Sequence, residues 1–156
     1  MGPGRTLLGP AHLRRNSRLS PTCYLDSSAL FKLAVDEEES RAAWLFLQGA
    51  GWISSELVLT ELPRAIRARA EINPRLNLDL SMGRSEIILQ RVEMHPIDRL
   101  TLWRAGRIFE PHLRSFDAVH VVTALNVRPI DAFVTYDLRQ AEAAHVAGLN
   151  VRSPGW

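Results

Sequence analysis

A chain of 156 residues, 46% hydrophobic and 23% charged, fits one soluble globular domain with a real core. No apolar run approaches the roughly 18 residues that a bilayer span needs, which excludes a transmembrane segment from the reading. The formal net charge of +2 belongs to the N-terminal stretch: without Arg5, Arg14, Arg15 and Arg18 the rest holds 15 basic against 17 acidic side chains, which excludes a generally basic nucleic-acid binder.

Any phosphate contact must therefore come from local arginines. Lys32 is the one lysine, and every other basic residue is Arg. Arginine suits bidentate phosphate contacts, although genomic base composition produces the same bias and is the simpler cause. The one cysteine, Cys23, has no internal disulfide partner, which points to a reducing compartment, the cytoplasm.

Residues 1–21 are rich in Gly, Pro and Arg and lack hydrophobic periodicity. They read as a disordered basic arm ahead of one domain over 22–156. They contain no continuous apolar segment of the kind a secretory signal carries. The first strand follows at Thr22-Cys23-Tyr24-Leu25 and stops on a carboxylate, Asp26. Ser27 and Ser28 lead into an apolar helix, Ala29 to Val35. Asp26 reads either as a helix cap or as a site residue, because ligands of open α/β sheets bind beyond the carboxyl ends of strands.

The acidic loop Asp36-Glu37-Glu38-Glu39 reads as a solvated helix start. A second helix is expected over Arg41 to Gly49, with Trp44, Leu45 and Leu47 as its apolar residues. Trp52-Ile53-Ser54 is a short strand. Ser55 is the expected cap of a third helix, Glu56 to Ala70. Leu57, Val58, Leu59, Leu62, Ala65 and Ile66 fill one apolar arc of that helix, and Glu61 falls inside it. A carboxylate on a buried face needs a partner or a metal; Arg64, one turn on, is the structural candidate. Pro63 is expected to kink this helix or end it early.

Leu76 to Gln90 reads as a helix and Val92 to Ile97 as a strand. Asp98 caps a helix over Arg99 to Phe109. After the loop Glu110 to Arg114, Ser115 is the expected cap of Phe116 to Asn126, a helix apolar nearly all round and therefore central. Asp117 stands in its first turn, where the positive helix end favours an ionised carboxylate. His120 reads as a packing histidine. Asp131 to Thr135 is a strand, and Asp137-Leu138-Arg139-Gln140 matches a capping box at the start of a helix to Ala147. Gly148 stops it, and Leu149 to Arg152 is the last strand. This alternation predicts a three-layer α/β/α sandwich on a mostly parallel central sheet.

Asp26, Asp117 and Asp137 thus lie at strand ends or helix starts, and Glu61 faces inward. Two carboxylates about 5 Å apart repel by roughly 3 kcal/mol at an effective dielectric of 20. Four that converge need protons or divalent cations. An all-oxygen set without clustered His or Cys favours Mg²⁺ or Mn²⁺, and such a metal suits phosphodiester hydrolysis.

The runs Tyr24-Leu25-Asp26-Ser27-Ser28-Ala29-Leu30, Thr60-Glu61, Leu113-Arg114-Ser115-Phe116-Asp117-Ala118-Val119-His120 and Phe133-Val134-Thr135-Tyr136-Asp137 resemble PIN-domain proteins. More narrowly they are similar to the VapC-type toxins of bacterial toxin–antitoxin modules. The resemblance covers about Thr22 to Arg152. It implies a Mg²⁺-dependent endoribonuclease (Mn²⁺ substituting) that cuts structured RNA, tRNA or rRNA. The implied acidic quartet is Asp26, Glu61, Asp117 and Asp137, with Asp26 and Asp117 as the firmest metal ligands and Ser28 and Thr135 as supporting hydroxyls. It further implies a homodimer and a small VapB-like antitoxin whose arginine pairs with Asp26 and Asp117. Arg64, Arg67 and Arg114 are the candidate phosphate contacts, and each also reads as a solvated surface charge. The rival readings are a non-catalytic PIN-like binding module, with the acids as caps and salt bridges, and a phosphatase with Asp26 as nucleophile. Asp26-Ser27-Ser28 lacks the second Asp that such a phosphatase commonly carries.

Overall fold

The computed structural model describes residues 20–108, 110 and 112–156. Residues 1–19 of the expected basic arm lie outside it. The elements run β1 (Thr22–Leu25), α1 (Ser27–Ala34), α2 (Ser40–Leu47), β2 (Gly51–Ser55), α3 (Val58–Ile72), α4 (Leu78–Arg91), β3 (Glu93–His95), α5 (Arg99–Ala105), α6 (Ser115–Asn126), β4 (Ala132–Val134), α7 (Leu138–Val146) and β5 (Val151–Arg152). This is the expected alternation. All four strand pairings are parallel, in the order β3-β2-β1-β4-β5.

Side-chain alternation along each strand makes the layers. Cys23 and Leu25 of β1, with Ala132 and Val134 of β4, join the core formed with α1 to α4. Tyr24 and Phe133 point the other way, into the core formed with α6 and α7. Tyr24 and Phe133 are register partners, fully buried, with rings stacked 5.3 Å apart. The result is the three-layer α/β/α sandwich.

The topology locates a site before any side chain is considered. From β1 the chain moves outward to β2 and β3, then crosses back to place β4 on the other side of β1. The carboxyl ends of β1 and β4 therefore flank the switch point, where open α/β sheets bind ligands. Asp26 follows β1, and Thr135 to Asp137 follow β4.

Several local expectations are corrected. α2 buries Ser40, Ala43 and Leu47, one narrow stripe of a short helix, and leaves Trp44, Leu45 and Phe46 exposed. Trp44 rests its ring against Trp52 instead, 5.7 Å away. α3 starts at Val58, and Ser55 only accepts the Leu57 N–H at 3.3 Å. Its buried stripe is Val58, Leu62 and Ile66, narrower than the expected arc, and Leu59 is exposed. Pro63 does not end α3, which runs on to Ile72. α5 stops at Ala105 because Gly106 caps it. α6 begins at Ser115 itself, with Arg114 in the cap position and no side-chain cap bond. The Asp98 cap is as expected: its Oδ1 accepts the Thr101 N–H at 2.7 Å.

Candidate active site

Asp26 has extended backbone, φ −81° and ψ 179°, at the point where β1 turns into α1. Its own N–H continues the sheet to the Val134 carbonyl at 3.2 Å. The carboxyl is 3% exposed. Oδ1 accepts from the Ala29 N–H at 2.9 Å and from Ser28 Oγ at 2.7 Å. Oδ2 lies 2.8 Å from Thr135 Oγ1. So Asp26 is a helix cap and a pocket residue at once. Burial pushes its carboxyl up to about 6, against the opposing pull of His120, the Ala29 N–H and the two hydroxyls.

Ser28 and Thr135 tie the two strand ends together. Ser28 Oγ accepts the Tyr136 N–H at 2.7 Å while donating to Asp26. Thr135 Oγ1 accepts the Asp137 N–H at 3.1 Å. It also lies 2.9 Å from Gln140 Oε1. A hydroxyl has one proton, so Asp26 and Gln140 compete for it.

Asp137 accepts the Arg139 and Gln140 N–H groups at 2.9 and 3.1 Å, the cap half of the expected capping box. The reciprocal half is absent from Gln140. That side chain, fully buried, turns inward to Thr135 and sends Nε2 to the Asp117 carbonyl at 3.3 Å. Asp117 stands in the first turn of α6. Its Oδ2 is buried and has no hydrogen-bond partner among the described residues. Burial raises its pKa first, the charges of Asp137 and Glu61 raise it further, and His120 and Arg114 pull it down. The partner of Glu61 is not Arg64 but His120, with Oε2 2.8 Å from Nε2. Arg64 points to solvent, which leaves it out of the buried geometry.

These groups open on one cavity of about 450 Å³, lined by Asp26, Ser27, Ser28, Glu61, Arg114, Ser115, Phe116, Asp117 and Asp137. The structure thus places all four expected acids on one pocket, at the switch point. Ser28 lines it and Thr135 stands behind Asp26. Of the three arginines, Arg114 lines it; Arg64 and Arg67 are exposed on α3 and do not.

Among the described residues, no three His, Cys, Asp or Glu side chains already form a metal cage. What fits a hard divalent cation is the donor set: four carboxylates, no sulfur ligand, and one buried carboxylate oxygen with no partner among the described residues.

The PIN domain family matches residues 23–146. The chain belongs to the PIN-domain family. Within it, the chain is a VapC-type member: it is 38% identical over 138 residues to Ribonuclease VapC35 of Mycobacterium tuberculosis, covering 85% of this chain and 96% of that one. Two solved structures share the fold. One is Mycobacterium tuberculosis VapC20, described as a sarcin-ricin loop cleaving toxin, with TM-score 0.63 at 16% identity over 81% of this chain and 95% of that chain. The other is VapBC2 from Rickettsia felis bound to a DNA fragment from their promoter, with TM-score 0.59 at 12% identity over 84% of this chain and 97% of that chain.

Two residues of this PIN domain escaped the sequence reading. Gln140 looked like a cap partner, and His120 looked like packing. The available signal was the same for both: a polar side chain on the inward face of a helix, where it must find a buried partner.

Proposed function

We propose that this protein is a metal-dependent endoribonuclease, the toxin of a toxin–antitoxin pair, acting in the cytoplasm on structured RNA such as tRNA or rRNA. The observation that carries the reading is the pocket itself. Four acids meet at the sheet's switch point, and among the described residues Arg114 is the one basic lining residue and one buried acid oxygen has no partner. Such crowding costs stability unless a cation relieves it. The VapC names of the relatives support RNA as substrate.

In this reading Asp26 and Asp117 hold Mg²⁺, or Mn²⁺ in its place, and Glu61 and Asp137 complete the set. A bound ion of this kind activates water and stabilises the charge of an in-line phosphodiester displacement. The protein's own groups do the rest. Ser28 and the Ala29 N–H hold the Asp26 carboxylate in one orientation, and the single Thr135 proton goes either to it or to Gln140. Gln140 ties the Thr135 hydroxyl to the backbone of Asp117, so the two principal acids share one scaffold. Arg114, at the pocket wall, meets a substrate phosphate. Arg64 and Arg67 on the exposed side of α3 contact RNA farther out. A homodimer and an antitoxin belong to the same proposal; the VapBC2 complex among the structural neighbours supports the antitoxin. An antitoxin arginine pairing with Asp26 and Asp117 inhibits by taking the cation's place.

The test is cleavage of candidate RNAs with Mg²⁺, repeated with Asp26→Asn. Equal cleavage by both ends the catalytic assignment. One observation favours a second reading, a non-catalytic PIN-like binding module: both Asp26 oxygens already accept protein hydrogen bonds, and no metal cage is preformed among the described residues. Calorimetry separates the two, because the binding module takes up no Mn²⁺ and the nuclease does.

A further inference from the structure

His120 is 1% exposed on α6, one turn beyond Asp117. An imidazole buried to that degree needs partners for both nitrogens. Nδ1 lies 2.8 Å from the Tyr24 hydroxyl and 3.3 Å from Ser55 Oγ. Nε2 lies 2.8 Å from Glu61 Oε2. A histidine that merely packs would satisfy itself within the core; this one directs a ring nitrogen at a pocket carboxylate.

From these contacts we infer that His120 is the positioning residue of Glu61, fixing the carboxylate's aim through a Tyr24–His120–Glu61 chain anchored in the central strand. The inference deepens the proposed nuclease reading and rests on it. The polarity of the chain is set by chemistry. An ionised carboxylate only accepts, so Nε2 donates to Glu61. With one proton on the ring, Nδ1 accepts and Tyr24 donates to it; with two, Nδ1 donates to the phenol oxygen, and the bond to Glu61 is the same in both. Burial holds the Tyr24 phenol well above its ordinary range, so it stays protonated in either case. Tyr24 is in turn stacked on Phe133 of β4, which makes the sheet the reference frame for the ring.

Glu61 has reason to need such a hold. It is a long side chain on α3, two residues before Pro63, which cannot donate the helical bond to the Leu59 carbonyl. The bond to His120 restrains Oε2, while Oε1 makes no protein hydrogen bond among the described residues. One helix, α6, thus supplies Asp117 directly and aims Glu61 at second hand.

The test is a mutant cycle with two readouts. His120→Leu removes the donor at nearly constant bulk, and His120→Gln returns an amide N–H near the place of Nε2. Each is made in the native chain and in Glu61→Ala, with cooperative unfolding checked first. The expected result is that His120→Leu lowers kcat about 10–100-fold, the usual cost of removing a group that orients a metal ligand. KM stays unchanged and His120→Gln recovers most of the loss. In Glu61→Ala the His120→Leu change alters kcat by less than about twofold. Nitrogen-15 NMR of the metal-free protein is expected to show His120 protonated at Nε2, with that proton's signal shifted in Glu61→Ala.

An undiminished His120→Leu defect in the Glu61→Ala background overturns the inference, as does a ring protonated only at Nδ1. Full cleavage by Glu61→Ala overturns both the role of Glu61 and this inference. Absence of cleavage by the native protein overturns the nuclease reading alone. In that case the same cycle is read by Mn²⁺ affinity, where His120→Leu is expected to weaken binding only when Glu61 is present, and equal weakening without Glu61 overturns the inference.

Discussion

Two clusters of charge lie side by side against α1, separated by Ser27 and Ser28, and they are built on opposite terms. In the first, Lys32 bonds Glu37 and Glu39, and Arg69 bonds Glu37 at 2.7 Å, so two cations meet two carboxylates. Burial pulls the Lys32 ammonium down, but Glu37 and Glu39 outweigh it and hold it above its ordinary range. In the second, four carboxylates share a pocket with Arg114 as its one basic residue among the described residues, and burial pushes Asp26 and Asp117 up. A chain that can balance its charges a few residues away, and does not balance them here, retains a destabilised site. Sites of that kind are kept for a task rather than for stability.

The sharpest way to break this contrast is Asp26→Asn. Asparagine preserves the cap but not the charge. RNA cleavage is expected to fall by about 10²–10³-fold, the scale on which one preorganised electrostatic group acts. Stability is expected to move the other way. An unfolded Asp titrates near pH 3.9, and folded Asp26 near 6. Below pH 4 both forms hold the proton and the site costs nothing. Between about 4 and 6 the unfolded chain loses its proton first, so stability falls as pH rises. Above 6 the cost levels off at roughly 3 kcal/mol. Urea unfolding in EDTA at pH 4 and pH 7.5 measures this. A native protein whose pH dependence matches that of Asp26→Asn contradicts the buried-charge account.

A divalent ion is expected to restore what the charges remove. At 100 times its Kd, Mn²⁺ raises the unfolding free energy by about 2.7 kcal/mol. At one fixed Mn²⁺ concentration the rise is larger at pH 7.5 than at pH 5, because protons compete for Asp26 and Asp117 and raise the Kd. A melting temperature insensitive to Mn²⁺ at both pH values favours the non-catalytic module. Lys32→Met, in the balanced cluster, is expected to do the reverse of Asp26→Asn. It loses about 1–3 kcal/mol of charge-assisted hydrogen bonding at neutral pH and leaves cleavage intact. A loss of cleavage without a loss of stability would mean that the two clusters are not separate in function.

The legible part of the molecule was whatever depends on position along the chain. Strand ends and helix first turns can be read locally, and Asp26, Asp117 and Asp137 stand there, while the alternation of Cys23, Tyr24 and Leu25 marks the central strand. What depends on a tertiary partner was not legible. Glu61 reads as a misplaced carboxylate that needs a partner or a metal, with Arg64, one turn away, as the structural candidate; the protein partner is His120, 59 residues on. Ser55 and Ser115 looked like caps because of their type. Their neighbours' backbone geometry starts the helices elsewhere. Pro63 looked like a break. It removes one hydrogen bond from a 15-residue helix whose Val58, Leu62 and Ile66 are fully buried, and that packing outweighs it.

The smallest expected effects concern two aspartates that do the same local job. Asp98 accepts the Thr101 N–H at 2.7 Å, and Asp137 accepts the Arg139 and Gln140 N–H groups. As helix caps they are equivalent. Asp98 lies outside the acidic pocket, and Asp137 lies in it. Asp98→Ala is expected to lower the melting temperature modestly and leave cleavage unchanged. Asp137→Ala loses its cap as well, but it also relieves the repulsion that raises the Asp117 carboxyl. Its melting temperature in EDTA should therefore fall less, while cleavage falls. Asp137→Ser separates the two roles, since serine caps without a charge. Recovered stability with lost cleavage assigns the carboxylate to the pocket, whereas full recovery of both returns Asp137 to the ordinary caps.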